Sequence, residues 1–96
     1  MQLLTHEHFA SCLNDTFVAL LNDSTLDFQL VEVRPLRQGA PDAAREPFSL
    51  LFVNHAPVLF PQQTYRMRHA RLGELGIFLV PIAMNRDGFV YEAVFN

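Results

Sequence analysis

The chain has 96 residues, 50% of them hydrophobic, with seven cations against ten anions and a formal net charge of −3. That length makes a single domain, 1–96, able to bury one core without staples. Its acidic balance, with a sequence pI of about 5.7, argues against a nucleic-acid partner, since such domains are typically basic. The lone Cys12 excludes an internal disulfide, and the opening QLLTHEHF has neither a basic start nor a long apolar run, so neither secretion nor a membrane span is expected and a cytoplasmic setting is.

A short helix is expected within residues 1–15. Thr5 can cap it, Glu7 suits its positive end, Leu4 can staple onto Phe9, and Phe9, Cys12 and Leu13 form the apolar stripe before Asn14 and Asp15 end it. Residues 16–96 then read as an antiparallel β meander. A strand from Thr16 to Leu21 is followed by the turn Asn22-Asp23-Ser24 and a second strand from Thr25 to Arg34, whose apolar phase slips from Leu26, Phe28 and Leu30 to Val31 and Val33. Such a slip predicts a bulge near Leu30. Residues 37–47 are polar and rich in helix and strand breakers, and read as a flexible hairpin loop. Phe48 to Val53 is apolar on both sides and reads as a central strand.

Tyr65, Met67 and His69 alternate with Thr64, Arg66 and Arg68 over the strand Gln63 to Ala70. A turn at Leu72-Gly73 leads into the strand Glu74 to Ala83, and Asn85-Arg86-Asp87-Gly88 turns into the last strand, with Gly88 supplying a positive φ. The fold class is therefore mainly β within α+β: one short helix and about six antiparallel strands in a small barrel or sandwich, the helix plugging an open end or covering an edge.

FSLLFV (48–53), LFPQQTYRMRHARLGELGIFLVPI (59–82) and GFVYEAVFN (88–96) together resemble a family of small bacterial domains of unknown function. The shared features are an F-x-L-x-F strand, L-P-Q-x-T-Y-x-[ML]-x-H, an apolar run ending F-L-V-P and a final Y-E-A-x-F-N. Phe60 stands where the first motif has Leu, and the similarity covers the second half of the chain. The resemblance implies a small β-rich domain with no known activity, and a setting beside a phage-tail-like assembly.

Chemistry-bearing residues are few. His8 and Cys12 are four apart on the expected helix, and His55 or His69 could complete a metal set, but closed zinc sites use tighter ligand pairs and Cys12 falls in the apolar stripe, so no metal or cofactor is expected. His69 and Glu92 would make an acid/base pair only if the sheet brought them together, with Tyr65 beside His69 on the same strand face. No nucleophile elbow or phosphate loop accompanies them. Arg66, Arg68 and Arg71 form the densest cationic patch, and with Val90, Glu92 and Val94 on the last strand they make the candidate interaction surface.

A non-catalytic structural or protein-interaction domain ranks first, with the phage-tail-like accessory role as its implied setting. A small-molecule-binding barrel comes second, and an enzyme using His69 and Glu92 third. The apolar run Leu75 to Val80 exceeds what a one-sided sheet needs, so a homodimer through a strand edge is expected.

Overall fold

The computed structural model describes residues 4–36 and 47–95. The loop read over 37–47 therefore lies, but for Pro47, outside the described residues. Helix α1 (His6–Ala10) precedes strands β1 (Thr16–Leu20), β2 (Thr25–Pro35), β3 (Phe48–Asn54), β4 (Gln63–His69), β5 (Gly73–Asn85) and β6 (Gly88–Phe95). All pairings are antiparallel, and the single sheet closes into a barrel in the order β1-β2-β3-β6-β5-β4, with β4 back beside β1. Two three-stranded meanders thus meet side by side. The link over residues 55–62 does not join neighbours, as a simple meander would require, but carries the chain across one end of the barrel, a Greek-key type of connection.

Alternation in the sequence becomes inside and outside in the barrel. On β4, Tyr65, Met67 and His69 are buried while Thr64, Arg66 and Arg68 face out. The expected bulge is present, since the β2–β3 register shifts between Leu30 and Glu32, and a second shift on β5 lies between Pro81 and Ala83. The interior is filled by side chains: Phe28 packs on Tyr91 and Tyr65 with ring centroids 5.3 and 5.7 Å apart, and Phe17 on Phe52 at 5.4 Å.

One end of the barrel is capped by the N-terminal segment. Phe9 leaves α1 to lie against Phe48 and Phe95, which stack on each other at 4.7 Å. The helix is shorter than the segment read from sequence. Ser11 Oγ donates to the His8 carbonyl at 2.9 Å, and Asn14 adopts φ 71, a left-handed conformation that Asn tolerates and that turns the chain into β1. Leu13 consequently leaves the apolar stripe and is exposed, whereas Phe9 and Cys12 are buried. At the other end Gly88, with φ 141, lets the β5–β6 hairpin approach β3 so closely that a Cβ there would sit 2.2 Å from the Asn54 carbonyl oxygen. Among the described residues no helix is long and apolar enough to cross a membrane.

Candidate functional site

The densest cluster of reactive side chains lies at the helix end, where the turn after β4 meets the turn before β1. His69 is buried against the Phe17 ring, 4.6 Å between centroids. Its Nδ1 accepts the backbone N–H groups of Arg71 (3.1 Å) and Leu72 (3.2 Å), which places the ring proton on Nε2. Nε2 then donates to Asp15 Oδ2 at 2.9 Å. That hydrogen bond, helped by Arg71 and opposed by partial desolvation, holds the Asp15 carboxyl below its ordinary 3.8. Arg71 Nη2 closes the cluster by donating to the Ser11 carbonyl at 2.5 Å, with Asp15 Oδ2 at 3.5 Å and Cys12 Sγ at 3.7 Å.

Cys12, Asp15 and His69 present ligand-type atoms within 4.8 Å of one another, close enough by distance alone to share a metal ion. The donor set does not fit. A coordinating imidazole donates its second ring N–H to a neighbour, whereas Nδ1 of His69 receives two amides, so ligation through Nε2 would require an imidazolate or the loss of both bonds. The Arg71 guanidinium already supplies the positive charge between Asp15 and Cys12. His8 turns instead to the helix start, its Nδ1 accepting the Thr5 N–H at 2.9 Å. His55 lies at the opposite end, bonded through Nδ1 to the Asp87 carbonyl. Both ring nitrogens of His69 are thus engaged in hydrogen bonds within the fold.

The pairing of His69 with Glu92 is not formed. His69 shares the inward phase of Tyr65 and Met67, while Glu92 stands between the inward Tyr91 and Ala93 and therefore faces out. The Tyr65 hydroxyl donates to the Pro61 carbonyl at 2.6 Å, and burial, then the nearby Tyr91, push its phenol above the ordinary range. Arg71 leaves the cationic patch to serve the helix end. Arg66 and Arg68 remain on the outer face of β4, both reaching Glu74 at 3.6 Å, and Val90, Glu92 and Val94 lie on the outer face of β6. Every strand has a neighbour on both sides, so among the described residues there is no wholly free edge for the expected strand-edge dimer. The shortest ladder is β1–β4, with only Val18↔Arg68 and Ala19↔Met67 in register. Beside it Thr16, Val18, Arg68 and Glu74 border a surface groove of about 570 Å³.

Sequence reading missed two things. Asp15, taken as a helix terminator, is the partner of His69, a pairing across 54 residues that no local pattern announces. It also missed the apolar rim at the link end. Val58 and Leu59 are each 55% exposed, Ile82 is 49% and Met84 73%. The link is anchored beneath them by the Phe60 N–H, which donates to the Tyr91 hydroxyl at 2.9 Å, and by the Tyr65 bond to Pro61. Ala56, Pro57, Met84 and Phe89 border a shallow groove of about 310 Å³ between link and hairpin. The signal was present in Val58-Leu59-Phe60, three large apolar residues between Pro57 and Pro61 where turn residues are usual.

No curated protein and no solved structure matches the chain. A domain of unknown function (DUF6916) matches residues 4–95, and the chain belongs to that family.

Proposed function

We propose that this domain is a non-catalytic protein-interaction module that binds a partner through its link end. The observation that carries the reading is the exposure of large apolar side chains on the two segments at that end, Val58 and Leu59 on the link and Ile82 and Met84 on β5, segments that meet where Ala56, Pro57, Met84 and Phe89 border one groove. A solvated surface has no use for such a group, whereas burial against a partner returns about 25 cal/mol for each Å² removed from water. The link is pinned by the hydroxyls of Tyr65 and Tyr91, so the rim is offered in a fixed shape with little ordering cost on binding.

The non-catalytic part of the reading is supported by His69, whose two nitrogens are both spent on structural bonds. The filled aromatic interior weighs against the small-molecule barrel, which would need an interior cavity. An accessory role in a phage-tail-like assembly, the setting implied by the family resemblance, is a specific form of the same proposal. A photo-crosslinking side chain at Met84, introduced in the producing cell, tests it. The expected result is capture of one protein partner, lost on Leu59→Ser and absent when the crosslinker replaces Arg34. Equal capture at the two positions would overturn the reading, and a partner outside any tail-like assembly would sink its specific form.

A further inference from the structure

We propose that a second copy of this chain docks on the outer face of β4, β5 and β6, centred on Phe78, across a two-fold axis that brings Arg66 of one copy to Glu92 of the other. The proposal rests on the reading of the domain as an interaction module but uses a surface distinct from the link end, so the two can fail separately.

A two-fold contact joins a patch to itself, so any charge on one side of the axis must find its opposite at the equivalent position on the other side. The registers meet that condition. Phe78 pairs with Thr64, so it shares the outer face of the sheet, where it is half exposed. Arg66 is one strand away and two residues along from Phe78, opposite Gly76. Glu92 is one strand away on the other side and two residues along in the other direction, opposite Val80. With strands about 4.8 Å apart and about 3.3 Å per residue, each charge sits roughly 8 Å from the central ring, on opposite diagonals.

The charges are also available. Glu74 serves both Arg66 and Arg68, which leaves one positive charge in excess on the β4 side. Among the described residues no cation lies in ion-pair contact with Glu92. Between the charged flanks the surface is apolar, with Val80 beside Phe78 and the exposed Val94 two residues on from Glu92. This is the arrangement of a small interface with an aromatic centre and a charged rim that fixes orientation. It also accounts for the second apolar face of the run Leu75 to Val80, whose inward residues Ile77 and Leu79 already fill the core.

Light scattering of the intact chain from about 5 to about 200 μM decides the matter. A mass rising towards twice 11.0 kDa is expected. Arg66→Glu and Glu92→Arg should each weaken association on the order of tenfold, because the symmetry repeats every contact. The double variant Arg66→Glu/Glu92→Arg should recover it, which a merely structural role would not produce. Circular dichroism establishes that each variant is folded, and Arg66, with its side chain 69% exposed, tolerates the change. A constant monomer mass over the whole range overturns the proposal. So does a dimer that the paired reversal fails to restore, or one that ignores both charges and is lost on Met84→Ser, which would put the second copy on the link end.

Discussion

The barrel's two ends are closed by different means. At the helix end the closure is made of side chains: the buried Phe9 and Phe48 rings with the partly buried Phe95, and beside them the cluster of buried His69 with the more exposed Asp15 and Arg71, which ties the start of β1 to the turn after β4. At the link end Phe60 and Phe89 pack on the core, and side chain–backbone hydrogen bonds fix the link over it. The Phe60 N–H and Pro61 carbonyl bond to core tyrosine hydroxyls, Asn54 Nδ2 donates to the Asp27 carbonyl at 2.8 Å, and Asn54 Oδ1 accepts the Ala56 N–H. Val58, Leu59, Ile82 and Met84 are exposed on the segments at that end. Under the proposed function, stability falls to the helix end and recognition to the link end.

The strongest way to break this division is Phe9→Ala. Truncating a ring that is fully buried against three others should cost about 3–5 kcal/mol, close to the total stability of a domain this small. Denaturant unfolding should show it, and a midpoint near that of the parent would refute the stabilising role of the helix end. Gly88→Ala probes the link end, where the new Cβ would meet the Asn54 carbonyl and positive φ is required. Strain and overpacking together predict a loss of about 2–4 kcal/mol and a shifted hairpin that weakens partner capture at Met84. Unchanged stability would mean that link and hairpin are not locked together.

The smallest effect is one of pH. Asp15 titrates below its ordinary 3.8 in the folded state, so its contribution is fully present above that value and is lost as pH falls through the lowered folded one. The stability difference between the parent and Asp15→Asn should therefore be constant above about pH 5 and vanish in stronger acid. A difference that instead grew on acidification would show that the His69 hydrogen bond does not hold the carboxyl in its charged form.

Much of this was legible along the chain. Alternation over Gln63–His69 assigned Tyr65, Met67 and His69 to one face because successive residues of a strand point to opposite sides. The phase slip after Leu30 located the bulge, and Gly73 and Gly88 marked turns at which positive φ is needed. Periodicity reports the face a side chain takes, however, and says nothing of what it meets there. His69 was therefore visible as an inward residue while its partner Asp15 was not, and Arg71 was grouped with Arg66 and Arg68 by nearness in sequence although its guanidinium turns to the helix end.

By itself, then, the sequence determined the number of strands, most of their faces and the turns, because these follow from local backbone preference and the two-residue period of a strand, while Leu13, read into the apolar stripe of the helix, is exposed. Only the tertiary structure decided that β3 pairs with β6 and β4 with β1. That choice depends on how a twisted sheet satisfies its edges, a property of the whole sheet that no local segment encodes. The same choice sends the link across one end of the barrel and brings it to the end where the β5–β6 hairpin turns.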